Sequence, residues 1–128
     1  MREQVTLITT ALLCLLSGAA VAADVAANAT PTGGQVVAGS AAVVHDNSNA
    51  AAPVVNVNQT SQRAVVNWSS FDVGANTTVN FNQPNAQAST LNRIGNANPS
   101  QIHGRINAPG EVILQNNAGV YFSPSATV

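Results

Sequence analysis

Short runs in which apolar and polar residues alternate fill the second half of the chain, and turn-forming residues separate them. The runs are rich in β-branched and aromatic residues, which favour half-buried strands of a pleated sheet. Three separating clusters, at residues 96–99, 107–110 and 116–119, have similar compositions. The pattern predicts two short strands within residues 35–44, around Gly39 and Ser40, and further strands at 54–59, 63–68, 77–82, 91–94, 101–106, 111–115 and 120–122.

The spacing of equivalent features indicates a repeat. Comparable residues recur at similar intervals, from Gly74 to Gly95 and from Ile102 to Phe122. A solenoid with one coil of about twenty residues per repeat has this period. After residue 22 no segment has the apolar i, i+3, i+4, i+7 spacing of an amphipathic helix. The sequence therefore predicts an all-β fold of stacked coils, with a β-sandwich as the open alternative.

The N-terminal segment has the features of a signal peptide. The apolar run at residues 5–16 is too short to serve as a membrane anchor, and the small residues at 18–23 offer a signal-peptidase site. We predict a signal peptide at residues 1–22, with cleavage after Ala22 or Ala23. Residues 23–34 are rich in Ala, Thr and Gly and predict a flexible leader, and residues 35–128 form the folded domain. Cys14 lies within the signal peptide, so disulfides do not stabilise the processed chain.

Composition excludes some functions. Only 7% of the residues are charged, the formal net charge is −1, and there is no Lys. A nucleic-acid-binding protein needs clustered cations, so we expect no nucleic-acid partner. The chain is 45% hydrophobic, which argues against disorder. Sixteen Asn residues supply much of its polarity and suit turns and stacked amides, although the sequence does not assign each Asn to either role.

Residues that could perform catalysis are few and scattered. Ser100, His103 and Asp72 could be assembled into a triad only on paper, and no Gly-x-Ser-x-Gly nucleophile elbow is present. The acidic residues and histidines show no metal-ligand spacing. Packing within a coil explains Trp68 and Phe71 better than an exposed binding pair does. We therefore predict no catalytic residue, no metal site and no cofactor, and expect that the protein is not an enzyme.

Several motifs resemble one family in their order and spacing. They are Asn67-x-Ser-Ser-Phe-Asp-Val-Gly-Ala-Asn, then Thr-Val-Asn-Phe-Asn-Gln-Pro-Asn from Thr78, Leu-Asn-Arg-Ile from Leu91 and Asn-Pro-Ser-Gln-Ile-His-Gly from Asn98. Together they resemble the N-terminal secretion domain of filamentous-haemagglutinin-type exoproteins, the haemagglutination-activity domain of two-partner secretion. The resemblance extends roughly from residue 35 to the end of the chain.

This resemblance implies a right-handed parallel β-helix and export in two steps. The Sec machinery and signal peptidase would handle the first step, across the inner membrane of a Gram-negative bacterium. An outer-membrane transporter with periplasmic POTRA domains and a β-barrel would then capture the domain and pass it outward. The implied location is extracellular or on the cell surface. Contact with a host-cell or bacterial surface would belong to regions outside this sequence.

The family pattern also implies a candidate recognition turn. An Asn-Pro-Asn-Gly turn before an apolar strand corresponds here to Asn116, Asn117, Ala118 and Gly119, so its first and last residues are kept. Gly119 can adopt a positive φ, and Asn116 can bond its own turn. Secondary candidates are two residues of an earlier turn, and two arginines that could face an acidic transporter surface or pair with Asp72 or Glu111: Asn98, Pro99, Arg93 and Arg105.

Three functions are consistent with these features. The first is the secretion-targeting and fold-nucleating module of a large adhesin, and the second is the same module carrying a contact-dependent toxin or haemolysin. The third, a secreted β-solenoid enzyme, needs a charged cluster that the sequence lacks. Because the family domain continues past the strand at 120–122, we expect the sequence to be a fragment. We also expect residues 36–44 to cap the N-terminal end of the solenoid, and its C-terminal end to be open.

Overall fold

The computed structural model describes residues 25–128, so the predicted signal peptide and its cleavage site lie outside the described residues. Ten strands and no helix are present from residue 25 onward. In that part of the chain no helix is long and apolar enough to span a membrane. The strands are β1 Gln35–Ala38, β2 Ala41–Asp46, β3 Val54–Gln59, β4 Arg63–Trp68, β5 Thr78–Asn82, β6 Ser89–Ile94, β7 Ser100–Ile102, β8 Arg105–Asn107, β9 Glu111–Asn116 and β10 Val120–Phe122.

The strands form three sheets that run along one axis. Sheet A has the order β9-β6-β4-β1, sheet B has the order β2-β3-β5-β8, and sheet C pairs β10 with β7. Pairing is parallel between β4, β6 and β9, between β3, β5 and β8, and between β7 and β10. The chain thus visits sheets B and A in every coil and sheet C in the second and third. This is the predicted parallel β-helix, and the β-sandwich alternative is wrong.

Most coils are longer than the sequence spacing suggested. Arg63 pairs with Ser89 of the next coil, and Val73 forms a bridge with Ile102 of the next coil. In both cases the number of residues from one coil to the next exceeds the predicted period of about twenty. The step from Ser100 to Val120 agrees with the predicted period of about twenty residues. Loops of unequal length between strands account for the difference, because each corner can take extra residues without changing the strand register.

Alternating side chains fill the space between the sheets. Trp68 and Phe71 are 3% and 1% exposed, and their rings meet edge to face at 5.3 Å, which confirms that this aromatic pair packs within a coil. Phe71 also stacks on Phe81 of the next coil. Apolar packing of this kind is the main favourable contribution to the fold. The core further contains Val55, Val57, Val66, Val73, Val79, Ile94, Ile102 and Ile106.

The first two strands cap the N-terminal end, as predicted. β1 pairs antiparallel with β4, and β2 pairs antiparallel with β3, so both cover strand edges that would otherwise be free. Gly39 has a φ of 78° in the link between them, where the backbone would strain any other residue. Val36, Ala41 and Val43 pack against the core.

One predicted strand is divided in two. Residues 101–106 were expected to be a single strand, but β7 ends at Ile102 and β8 begins at Arg105. At Gly104 the chain turns from sheet C into sheet B, and the backbone is so close to the preceding coil that a Cβ would lie 2.2 Å from the Gly74 carbonyl oxygen. Contact with the previous coil therefore sets this corner, and apolar patterning alone did not reveal it.

The predicted leader lies against the first coils in its described part. The backbone N–H of Gly74 donates to the carbonyl of Ala29 at 2.9 Å, and the Thr77 hydroxyl donates to the same carbonyl at 2.8 Å. Thr32 forms an isolated bridge with Ser70, and Pro31 is buried. The flexibility of residues 23–34 stays a prediction, but from residue 25 they follow a defined path.

Candidate functional site

The candidate recognition turn follows directly from β9. The backbone N–H of Ala118 donates to the Asn116 side-chain oxygen, and the N–H of Gly119 donates to the Asn116 carbonyl, both at 2.9 Å. Gly119 has a φ of 109°, and no atom lies within 4 Å of the position that a Cβ would occupy. Although its two central residues differ from the family pattern, the turn keeps the positive φ expected of Gly119 and the hydrogen bond expected of Asn116 within its own turn.

The preceding coil has a similar corner at the same place. Here the backbone N–H of Asn98 donates to the Asn96 side-chain oxygen at 2.9 Å, which repeats the local bond of Asn116. The corner lies between β6 and β7, whereas the recognition turn lies between β9 and β10. Because β6 pairs with β9 and β7 with β10, the two corners are stacked along the axis. We call residues 95–99 and 116–119 the turn stack.

Asn116 joins the two corners. Its side-chain amide donates to the carbonyl of Asn98 at 3.1 Å and to the hydroxyl of Ser100 at 3.0 Å. The N–H of Ser100 donates in turn to the carbonyl of Gly119 at 3.0 Å. Asn116 thus holds its own turn with its oxygen and the neighbouring turn with its nitrogen. The result is a pair of exposed corners joined by hydrogen bonds.

The structure brings six of the eight candidate residues into the turn stack: Asn98, Pro99, Asn116, Asn117, Ala118 and Gly119. Arg93 is exposed on β6, one residue before Ile94, and thus borders the stack on sheet A. Arg105 lies on β8 in sheet B, and the fold does not place it in the stack. The sequence did not identify Ser100 as a residue of this site, although its position shortly after Asn98 is a signal for its contact with Asn116.

The corner of the first coil extends the stack by a third layer. Asp72 accepts the backbone N–H of Gln101 at 2.9 Å, and the N–H of Gly95 donates to the carbonyl of Trp68 at 3.0 Å. Asp72 therefore bonds the chain of the next coil. Neither Arg93 nor Arg105 forms an ion pair with Asp72 or Glu111 in the described part of the chain, so the pairing suggested by the sequence does not occur there.

Two residues of the catalytic triad considered from the sequence, Ser100 and Asp72, make structural hydrogen bonds. The hydroxyl of Ser100, which is 1% exposed, accepts from Asn116, and Asp72 caps the Gln101 N–H. Within residues 25–128 no group of three or more His, Cys, Asp or Glu residues could hold a metal ion. For binding, the turn stack therefore offers backbone and side-chain amide groups.

At the other end of the molecule, the Ser48 backbone N–H and hydroxyl donate hydrogen bonds to Asp46, and these bonds hold the pKa of that carboxyl below its usual value.

Comparison with known proteins gives this geometry a family. The model of the TPS secretion domain matches residues 27–128. A heme/hemopexin-binding protein of Haemophilus influenzae is 39% identical over 74 residues, which are 58% of this chain and 8% of that protein. A protein of the same name from the Rd strain is 35% identical over 98 residues, which are 77% of this chain and 10% of that protein. The chain thus spans a tenth or less of the length of these relatives.

A solved structure agrees in fold. The crystal structure of the HMW1 secretion domain from Haemophilus influenzae superposes with a TM-score of 0.64 and 27% sequence identity, over 75% of this chain and 24% of that chain. TPS secretion domains are the parts of two-partner secretion exoproteins that work with an outer-membrane transporter, and such exoproteins cross the outer membrane of Gram-negative bacteria. The match over residues 27–128 shows that this chain belongs to the TPS secretion domain family.

Proposed function

We propose that the chain is the secretion-targeting and fold-nucleating module of a large surface exoprotein of the adhesin type, and that its transporter recognises the turn stack. The observation behind this proposal is the bonding of Asn116, which joins two exposed corners into one continuous surface. The family match supports export as the task of this surface. In this proposal the module acts by binding and folding and catalyses no reaction.

The stacked coils suggest how folding assists export. Each coil bonds chiefly to its neighbours, so a solenoid can form coil by coil. The antiparallel cap at β1 and β2 covers one edge of β4 and of β3, and β6 and β5 pair with the opposite edges of the same two strands. A segment that folds outside the membrane in this way is hindered from sliding back. The signal peptide at residues 1–22 would direct the earlier step through the Sec machinery.

The activity of the exported protein is a separate proposal. Two curated relatives are named heme/hemopexin-binding proteins, which favours a surface protein that binds heme or hemopexin as a second candidate. The same module could also export a toxin or haemolysin. Contacts with a host-cell or bacterial surface would be made outside residues 27–128 in each case.

The turn stack can be tested by co-expressing the chain with its transporter and measuring release into the medium. Asn116→Ala removes the side-chain bonds that Asn116 makes within its own turn and to the neighbouring corner, while the backbone bonds of the turn remain, so the transporter would meet a less ordered surface. We expect release to fall about tenfold, which corresponds to the roughly 1.4 kcal/mol that one or two hydrogen bonds contribute. Asn47→Ala is the matched control, because Asn47 is exposed in the loop that follows the capping strand β2 and does not belong to the stack.

Circular dichroism and urea unfolding of periplasmic material would show whether the Asn116→Ala domain still folds. Unchanged release of a folded Asn116→Ala variant would contradict recognition through the stack.

A further inference from the structure

The outer face of sheet A is unusual for a solvated surface, because a row of aliphatic side chains crosses it along the axis. Val65 pairs with Leu91, and Leu91 pairs with Ile113, so the three residues occupy equivalent positions in successive coils. Val65 and Leu91 are partly exposed, and Ile113 is 42% exposed. Side chains alternate across a strand, so all three point away from the core. We call this row the aliphatic row.

Polar residues flank the row on both sides. One flank contains Arg63, Ser89 and Glu111 in register, and the other contains Asn67, Arg93 and Gln115. All except the partly exposed Ser89 are exposed. Neither Arg63 nor Glu111 has an ion-pair partner among the described residues. The face therefore consists of an apolar strip, and the unpaired charges of Arg63 and Glu111 lie at opposite ends of one of its flanks.

The outer face of sheet B is different along β3, β5 and β8. There the Asn80 amide donates to Asn56 at 3.2 Å, and the Asn107 amide donates to Asn80 at 3.0 Å. The Asn82 amide similarly donates to Asn58 at 2.8 Å. These amides bond one another along the axis, so this part of the face is polar and largely self-satisfied. Of the two four-stranded sheets, only sheet A has a row of aliphatic side chains between free charges.

The charges on sheet A are complementary to themselves. Arg63 and Glu111 lie on the two strands that flank β6, each one strand spacing of about 4.8 Å away from it. Consider a twofold axis that runs parallel to β6 between two facing copies. The axis places Arg63 opposite Glu111 of the second copy, and Glu111 opposite Arg63 of the second copy. It also places Val65 opposite Ile113 and Leu91 opposite Leu91, so the two aliphatic rows meet.

We propose that the outer face of sheet A binds a second copy of this chain in an isologous, face-to-face pair. Two ion pairs at the edge fix the register, and the aliphatic rows lose contact with water. Three strands of six residues cover on the order of 300 Å² per copy, well below the roughly 800 Å² per partner of a standard interface. The association is therefore weak and reversible.

One contact in the pair is unfavourable. Arg93 lies on β6, the strand along which the axis runs, so it faces Arg93 of the second copy. Like charges placed opposite each other oppose association. We therefore expect Arg93→Gln to strengthen the pair and Glu111→Arg to weaken it. Apolar attraction alone would not produce this difference.

The test is sedimentation equilibrium of the chain purified from the periplasm, from about 10 μM to about 1 mM, a range in which weak association is detected. We expect a monomer–dimer equilibrium that Glu111→Arg and Arg63→Glu each weaken about tenfold, by placing like charges opposite each other. The double variant Arg63→Glu with Glu111→Arg should restore the wild-type Kd within about threefold. Ala42→Arg adds a cation to the exposed face of sheet B, and should have no effect.

Three outcomes would overturn the proposal. The first is a wild-type chain that stays monomeric throughout the concentration range. The second is a double variant as weak as the single variants, which would mean that the two charges do not meet. The third is association that survives Glu111→Arg but is abolished by Phe122→Asn, because this would place the contact at the exposed apolar side chains of the last described coil. If one single variant fails to fold, the other single variant still tests the pairing of charges.

Discussion

Asn92 lies inside the solenoid and joins three successive coils. Its side-chain oxygen accepts the indole N–H of Trp68 at 2.9 Å, and its nitrogen donates to the carbonyl of Ile113 at 3.2 Å. The residue is fully buried, so water cannot replace either bond. A buried polar group that loses its partner costs the free energy of its desolvation. Asn92 therefore contributes to the alignment of the coils as well as to their stability.

Replacing Asn92 by Ala is expected to lower the free energy of unfolding by about 2–4 kcal/mol, because it leaves the Trp68 N–H without an acceptor and opens a small cavity. Asn67→Ala is the matched control, since Asn67 is exposed on the same sheet, and its loss should be within about 0.5 kcal/mol. Urea unfolding followed by tryptophan fluorescence measures both. Equal losses for the two variants would show that the bond to Trp68 contributes little.

Two glycines near coil corners offer a second comparison between single residues. A Cβ at Gly104 would lie 2.2 Å from the Gly74 carbonyl oxygen and 2.3 Å from that of Thr77, whereas a Cβ at Gly95 would meet only the Trp68 carbonyl oxygen, at 3.9 Å. We expect Gly104→Ala to destabilise the domain by about 1–3 kcal/mol through overpacking, and Gly95→Ala to be tolerated. Thermal unfolding of both variants would reveal the difference. Similar melting temperatures would contradict close packing of the coils at Gly104.

At the scale of the elements, the two capping strands close the N-terminal edges of sheets A and B. Within β2, Val43 packs against the core, while Val44 is 47% exposed. A carboxylate at position 43 would be forced against apolar side chains, whereas one at position 44 would remain in water. The inward and outward residues of this strand therefore differ in what they can tolerate.

We expect Val43→Asp to destabilise the domain by at least about 2 kcal/mol, and Val44→Asp to change it by less than about 0.5 kcal/mol. Hydrogen exchange of the β3 amides would report the same change locally, because loss of the cap frees the edge of that strand. Two variants with indistinguishable stability and exchange would mean that β2 is not packed as described.

The elements also show what the sequence could reveal. Patterning predicted β3, β4 and β10 at their observed bounds. In β3 and β4 every second side chain is buried along a continuous run, whereas β10 was recognisable from its β-branched and aromatic residues. The division of residues 101–106 was missed, since it depends on contact between Gly104 and the previous coil. Local patterning also could not predict that β1 and β2 run antiparallel to their partners, because the alternation of their side chains is the same in either direction.

The candidate site was predictable in part for similar reasons. The resemblance located Asn116 and Gly119, and the turn chemistry of these residue types is local. Which of the sixteen Asn residues would stack was not predictable, because stacking depends on the register between coils. Arg105 was separated from the other candidates because β8 belongs to another sheet. The register places Asn56, Asn80 and Asn107 in one outward ladder and Asn92 inside the core.

At the scale of the whole molecule, the first and last coils of the described residues differ. The N-terminal end is covered by β1 and β2, whereas the last coil exposes apolar side chains around a cavity of about 190 Å³, lined by Ile106, Val112, Leu114, Val120, Phe122 and Val128. Phe122 is 50% exposed there, although its strand partner Ile102 is fully buried. The two ends of the described residues therefore present different surfaces, a pair of capping strands at one and apolar side chains at the other.

The central claim is that this domain is exported by a dedicated outer-membrane transporter. The most direct measurement is the fraction of the chain found in the medium and in the periplasm of a Gram-negative host, with and without the cognate transporter. An unrelated periplasmic protein in the same cells serves as the control for leakage. The account predicts that the chain reaches the medium only when the transporter is present, and otherwise stays in the periplasm. Equal amounts in the medium under both conditions would contradict it.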